Sequence, residues 1–294
     1  MARVIALGFF DGVHLGHGAL LSKTAETASA LGLTPAVMTF DRSPGKDGLL
    51  LSSVADRILL IRTLYGIEEV QVLPFTESFM HMPWDEYLAL LVRDYDASHL
   101  VCGYDYRFGY RGAGDPALLG AWCRDHGLGY DVVPQRTLEG TVVSSTYLRE
   151  LIAAGDVQRA ARFYGHRHLL SGTVTPGRHL GHTLGFPTAN LEPDATICLP
   201  KDGVYAVLAE TGGARYVGVC NVGSRPTVGG HHRRVETWLD GFEGDLYGKP
   251  LTLWFDTFLR PERTFPDLES MRKEIFRNRD QARLALRAFC TKAP

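Results

Sequence analysis

The sequence is short of most features that would take it out of the ordinary globular enzymes. No stretch approaches the run of about 18 apolar residues expected of a membrane span. The opening Met1-Ala2-Arg3-Val4-Ile5-Ala6-Leu7-Gly8 lacks the apolar length and cleavage pattern of a secretory signal. No Lys/Arg-rich run is present, and 31 basic against 33 acidic side chains leave a net charge of −2, so no nucleic-acid footprint is expected. Cys102, Cys123, Cys198, Cys220 and Cys290 are scattered and never form a Cys-x-x-Cys pair. That pattern argues for reduced thiols rather than a disulfide framework or a zinc site. Internal repeats and low-complexity segments are also lacking. The absences together predict a cytoplasmic chain with neither a membrane nor a nucleic-acid partner.

What is there falls into two textures, and 294 residues suffice for two cores. The first half alternates short apolar runs with helical patterns. Val4 to Leu7, Ala36 to Phe40, Gln71 to Leu73, Leu100 to Cys102 and Tyr130 to Val133 read as strands. Helices are expected after His17 up to Gly32, near residues 84–93 and near 116–126. A further helix, capped by Ser53 and closed by Gly66, carries Val54, Ile58, Ile61 and Tyr65 on one face. This alternation predicts an α/β domain, a doubly wound and mostly parallel sheet with ligands at the carboxyl ends of its strands. Two short helices follow, Ser145 to Ala154 and Asp156 to Tyr164, with Asp156 as a natural N-cap.

From about residue 168, Gly, Thr, Val and Tyr dominate. Gly203 to Ala209, Tyr216 to Asn221 and Leu251 to Phe258 are spaced like antiparallel strands, which predicts a small closed β-barrel. Pro266-Asp267 then opens a terminal helix with Leu268, Met271, Ile275, Ala282 and Leu286 toward that barrel. The expected domains are 1–166 and 167–294.

The first strand runs into Gly8-Phe9-Phe10-Asp11-Gly12-Val13-His14-Leu15-Gly16-His17. Glycine permits a tight turn and close approach to a ligand, and a helix N-terminus offers free amides to phosphate. His14 and His17, three apart, can donate to phosphate oxygens. Ser145 and Thr146, at the start of a later helix, can do the same, and Arg149 can fork two oxygens. Taken alone, Ser144 or Ser145 reads more readily as a helix cap than as a phosphate ligand.

The segment Gly8 to His17 resembles the signature of the HxGH nucleotidyltransferase superfamily. Its wording is more narrowly similar to that of bacterial bifunctional riboflavin kinase/FAD synthetases. Val143-Ser144-Ser145-Thr146-Tyr147-Leu148-Arg149 resembles a second motif of that family. Between them, Val101 to Gly112, with Asp105, Tyr106 and Phe108, is similar to the segment that lines the flavin and nucleotide side of its site. The resemblance implies attack of an FMN phosphate oxygen on the α-phosphorus of ATP, giving FAD and pyrophosphate. On this reading His14, His17 and Arg149 are catalytic, and Gly8, Phe10, Asp11, Gly12, Gly16, Ser144, Ser145 and Thr146 bind nucleotide phosphate. Asp105 and Phe108 face the flavin. One departure stands out, Ser43 where the family carries a histidine, with Arg42 beside it as a possible substitute cation.

In the second half, Gly172 to Gly177 and Gly181-His182-Thr183-Leu184-Gly185-Phe186-Pro187-Thr188-Ala189-Asn190 resemble the riboflavin kinase signature. The resemblance implies phosphate wrapping by Gly177 and Gly181, and Mg²⁺ held by the neutral oxygens of Thr188 and Asn190. Glu236, in Val235-Glu236-Thr237, is the implied base that takes the proton of the ribityl 5′-hydroxyl. Arg260 is a flavin-side or structural residue. His182 and Trp238 depart from the usual Arg and His, and the His231-His232 pair carries no assignment.

The implied ligands are riboflavin, FMN, FAD and ATP, with Mg²⁺. Three other readings stay open: a chain with only the kinase half active, an HxGH transferase for another substrate, and a non-enzymatic flavin-binding regulator.

Overall fold

The computed structural model describes residues 1–43, 48–176, 186–227 and 230–290. The chain forms two compact units, Met1–Gly48 with Ser53–Ser145, and Leu49–Ser52 with Thr146–Pro294. The division falls ahead of the expected 166/167 boundary, because helix α7 (Val157–Tyr164) packs on barrel strands of the second unit.

The first unit strings β1 (Arg3–Leu7), α1 (Leu15–Leu31), β2 (Thr34–Phe40), α2 (Val54–Tyr65), β3 (Glu69–Leu73), the short α3 (Glu77–Met80), α4 (Trp84–Tyr95), β4 (Ala97–Gly103), α5 (Pro116–Asp125) and β5 (Gly129–Val133). A hairpin, β6 (Thr137–Leu138) and β7 (Thr141–Val142), follows and was not foreseen in the sequence. The sheet order is β3-β2-β1-β4-β5, with every pairing parallel. Helices cover both faces. Ile5, Leu7, Met38 and Leu100 pack against Leu88 and Leu91 of α4 and Leu119 of α5, while Val4 and Val101 meet Ala28 of α1. The order reverses between β1 and β4, so their carboxyl ends flank the switch-point crevice where such sheets bind ligands.

Helix limits follow from local chemistry. Gly32 and Gly66 close α1 and α2 in the left-handed region at φ 66° and 64°. Ser53 caps α2 by accepting from the Asp56 amide at 3.0 Å. The buried face of α2 differs from the expected one. Arg57, Leu60 and Ile61 are fully buried, whereas Val54, Ile58 and Tyr65 are only half-buried. Arg57 turns inward because its guanidinium finds acceptors at the end of β2.

In the second unit, β8 (His168–Thr175), β9 (Thr188–Leu191), β10 (Gly203–Thr211), β11 (Ala214–Thr227), β12 (Gly230–Leu239) and β13 (Pro250–Arg260) close into a barrel of order β10-β11-β12-β9-β8-β13. All of its pairings are antiparallel. Alternation along β10 sends Tyr205 and Val207 inward, where Tyr205 meets Phe255 edge-on. Val204, Ala206 and Leu208 face outward, under α8 (Leu268–Ala285), with Met271, Ile275, Ala282 and Leu286 against them. Leu268 corrects the expectation. It is 62 % exposed, because it sits at the first turn beyond the edge of the barrel face. Trp238 is buried in this same cluster against Phe186 and Phe276, so its departure from the family pattern is a packing choice. Segment Leu49–Ser52 joins the second unit through a parallel bridge between Leu50 and Ile197. Cys102, Cys123, Cys198 and Cys220 are free and buried. Among the described residues, no helix is long and apolar enough to cross a membrane.

Removing a single N-cap bond costs about 1 kcal/mol in typical helices. The substitution Ser53→Ala is therefore expected to lower the stability of the first unit by about that amount in urea unfolding. An unchanged midpoint would show that α2 is held by its buried face alone.

Candidate active sites

The exit from β1 is strained and buried. Phe10, Gly12 and Val13 have φ values of 56°, 76° and 43°, in the left-handed region. For Val13, whose side chain is β-branched, that conformation is unfavourable. The turn is closed by the Val13 amide donating to the Phe10 carbonyl at 3.1 Å, and Thr39 Oγ1 donates to the Phe9 carbonyl at 2.9 Å. Phe10 and Val13 are fully buried, which anchors the turn. Gly8 lets the Phe10 ring pack close, since a Cβ there would stand 3.1 Å from it.

His14 caps α1. Its Nδ1 accepts from the His17 amide at 3.3 Å, so the proton of the neutral ring resides on Nε2. The two imidazoles stack with centroids 3.7 Å apart. Gly16 makes this possible, because a Cβ at that position would lie 3.1 Å from the His14 ring. His17 is held well below the ordinary value of 6.5, first by burial and then by His14 and Arg57. It is a neutral imidazole at pH 7, and its buried Nδ1 has no partner among the described residues.

Ser145, the last residue of the first unit, touches the first motif. Ser145 Oγ donates to the Asp11 carbonyl at 3.1 Å, which sets the start of α6 (Ser145–Ala154) on the phosphate-type turn. Asp11 is itself 3 % exposed. Ser144 immediately precedes the helix, Thr146 is exposed in its first turn, and Arg149 follows Ser145 by one turn.

The segment after β4 lines a cavity of about 530 Å³ with Phe40, Phe75, Phe79, Tyr106, Phe108 and Tyr110. Gly109, at φ 73°, lets this segment press on α4, since a Cβ would meet the Trp84 backbone at 2.5 Å. Tyr106 and Tyr87 share a hydroxyl contact of 3.0 Å, and burial raises both phenols well above their ordinary range. Phe108 faces the cavity, whereas Asp105 sits exposed on the turn just before it.

One residue of this neighbourhood escaped the sequence reading. Arg57 is fully buried, with Nη1 donating to Thr39 Oγ1 at 2.8 Å and to the Phe40 carbonyl at 2.9 Å. Its guanidinium lies 4.2 Å from the Phe9 ring centre. Burial lowers its pKa to about 10, against an opposing pull from Asp11, so it stays charged at neutral pH. Arg42 has a different role, with its guanidinium donating to the Phe75 carbonyl at the surface.

In the barrel, strand register assembles a polar row that sequence spacing alone does not reveal. Thr175 pairs with Asn190, Asn190 with Glu236, and Glu236 with Asn221. Residues directly opposite in a sheet share a face, so the Glu236 carboxylate stands between two amide side chains. Thr188, two residues before Asn190, lies on that face as well. Asn221 Nδ2 donates to Glu262 Oε1 at 2.9 Å. Arg260 is engaged with α8, donating to Asn278 Oδ1 at 3.1 Å and pairing with Glu274 at 3.3 Å. Gly177, Gly181 and His182 lie outside the described residues. No cluster of three or more His, Cys, Asp or Glu side chains fit for a metal occurs among the described residues, so a cation in the barrel would rely on hydroxyl and amide oxygens.

Fold and sites together define a doubly wound α/β unit with a strained, buried turn out of β1, followed by a closed antiparallel barrel with Glu236 in register between Asn190 and Asn221. The FAD synthetase family model matches residues 1–147, and the riboflavin kinase family model matches residues 164–286. A curated relative, the bifunctional riboflavin kinase/FMN adenylyltransferase of Bacillus subtilis, is 33 % identical over 95 % of this chain and 91 % of its own length. The proteins of the same description from Listeria monocytogenes and Escherichia coli K12 are 30 % and 33 % identical, over 96 % and 95 % of this chain and 91 % of each relative. A solved structure described as a macrolide-efflux protein from Streptococcus pneumoniae aligns with TM-score 0.85 and 28 % identity, covering 96 % of this chain and 94 % of the other. The chain belongs to the bifunctional riboflavin kinase/FMN adenylyltransferase family.

Because His17 is kept neutral by burial, the unfolded chain binds a proton there more readily than the folded one. Stability is therefore expected to be full above pH 6.5 and to fall as the pH drops through that value. Urea titrations of the wild type and His17→Gln between pH 7.5 and 5 check this. A slope no shallower in the variant would place the acid sensitivity elsewhere.

Proposed function

We propose that this chain makes both flavin nucleotides, phosphorylating riboflavin to FMN in the barrel and adenylylating FMN to FAD in the α/β unit. The reading is carried by the in-register row Asn190–Glu236–Asn221. Both residues opposite Glu236 in register carry amide side chains, and a carboxylate that is not held in an ion pair can accept a proton.

In the kinase step, Glu236 takes the proton of the ribityl 5′-hydroxyl as that oxygen bonds to the γ-phosphorus of ATP. The bond from the γ-phosphorus to the bridging oxygen breaks, and ADP leaves. Thr188 and Asn190 fit Mg²⁺, being hard neutral oxygen donors adjacent in register to the base, and they would hold it there. Bound Mg²⁺ would neutralise charge on the transferring phosphates. Arg260, through Asn278 and Glu274, would fix the turn that presents Glu262 to Asn221.

In the adenylyl step, an FMN phosphate oxygen bonds to the α-phosphorus of ATP, and the bond to the bridging oxygen breaks to release pyrophosphate. No base is required, since the attacking oxygen is already an anion. His14 Nε2–H and the amides at the start of α1, with the Thr146 hydroxyl and Arg149 of the second motif, would hold the phosphates and meet developing charge, while Ser145 braces the turn through the Asp11 carbonyl. The aromatic cavity bounded by Tyr106 and Phe108 would take the flavin ring by stacking.

Incubation with riboflavin, ATP and Mg²⁺, followed by chromatography, is expected to show FMN first and FAD second. Glu236→Gln is expected to cut FMN formation by roughly 100-fold or more while FAD still forms from supplied FMN. Undiminished FMN formation in that variant would remove Glu236 as the base. Riboflavin binding without any turnover in the wild type would make the chain a flavin-binding regulator instead.

A further inference from the structure

We infer that Arg57 binds a phosphate oxygen of the nucleotide, or of the leaving pyrophosphate, and is a positively charged member of the adenylyl-transfer site. The inference rests on the adenylyl-transfer reading and adds a residue to it.

A fully buried guanidinium normally has a carboxylate partner, because a lone charge away from water is costly. No carboxylate stands within ion-pair range of Arg57 among the described residues, although Asp11 is near enough to be felt. Its two described hydrogen bonds both leave from Nη1. Nε and Nη2, the side-on edge of the fork, are buried and have no partner. That edge is the one that meets phosphate or carboxylate with two parallel bonds. A residue kept only to tie α2 to β2 would need Nη1 and nothing more.

The location favours an anion from the substrate. Arg57 lies against Phe9 in the phosphate-type turn, and Thr39 bridges the two by bonding both the Phe9 carbonyl and Nη1. Its charge is also felt by His17, one of the two histidines of the motif. The strand that ends at Phe40 leads to Ser43, which supplies no imidazole, and Arg42 is engaged at the surface. In this neighbourhood Arg57 is therefore the buried cation with its fork open. The anion it lacks in the free protein arrives with ATP, and charge on that anion grows as pyrophosphate departs.

Three measurements test this on the full chain. Arg57→Met, which removes charge and fork, is expected to lower kcat/KM for FMN to FAD about 100-fold, and Arg57→Lys, which keeps the charge, to lower it less. Formation of FMN from riboflavin serves as the internal control. In wild-type protein labelled at arginine, the Arg57 Nε–H resonance, assigned by its proximity to the Phe9 ring, is expected to move when pyrophosphate and Mg²⁺ alone are added. A purely structural arginine would not respond. An unmoved resonance at saturating pyrophosphate overturns the inference even if the variants fail to fold, as does undiminished FAD formation by folded Arg57→Met. Absence of FAD formation in the wild type would instead strike at the adenylyl-transfer reading, leaving the resonance to decide on Arg57.

Discussion

Everything in the α/β unit depends on the abrupt turn out of β1. Three residues within Phe10 to Val13 adopt left-handed backbone angles, and two of them are not glycine. Such strain costs on the order of 1–3 kcal/mol per residue and persists only where the surroundings over-determine it. Here the surroundings are the buried Phe10 and Val13 side chains, the Thr39 bond to the Phe9 carbonyl and the Ser145 bond to the Asp11 carbonyl. The outcome is chemical. The turn sets the N-terminus of α1 at the carboxyl end of β1, and His14 caps that helix through Nδ1. Gly16 belongs to that arrangement too, since a Cβ there would stand 3.1 Å from the His14 ring.

The barrel meets its requirement by register instead of by strain. A closed sheet cannot slip one strand without breaking another pairing, and a one-residue slip would turn every side chain to the opposite face. The face that carries Asn190, Glu236 and Asn221 is therefore fixed by the whole barrel, with Trp238 buried two residues beyond Glu236 as a local anchor. Helix α8 adds a second constraint. Glu274, 7 % exposed, pairs with Arg260 at 3.3 Å, Arg263 at 2.6 Å and Arg277 at 2.8 Å. Three cations around one buried carboxylate offset its desolvation and tie the end of β13 to the helix.

Local chemistry was legible in the sequence and long-range chemistry was not. Ser53, Gly32, Gly66, Asp156 and Asp267 mark helix ends because a cap acts within three or four residues. The strand cores and both motif clusters could be read for the same reason. Burial of Arg57 depends on acceptors supplied by β2, seventeen and eighteen residues away, so a pattern that treats charge as solvent-facing finds Ile61 on the buried side of α2 but misses Arg57. The bridge from Leu50 to Ile197 and the row from Thr175 to Asn221 are tertiary pairings between distant segments. Leu268 misled for a simpler reason, since helical periodicity says nothing of where the underlying barrel face ends.

The contrast between the two sites follows from the two acceptors. A ribityl hydroxyl is a poor nucleophile until it loses its proton, so a site acting on it needs a base, and the register puts Glu236 between the amide side chains of Asn190 and Asn221. An FMN phosphate is already an oxyanion facing a polyphosphate, and what opposes its reaction is repulsion between anions. A carboxylate pointed at that centre would add to the repulsion, whereas fixed donors and a buried cation reduce it. The α/β unit accordingly gathers helix amides, a histidine with its proton on Nε2 and a guanidinium with an open fork. Excess positive charge that would destabilise the empty protein is the condition for holding the charged transition state, and its cost is confined to the free enzyme.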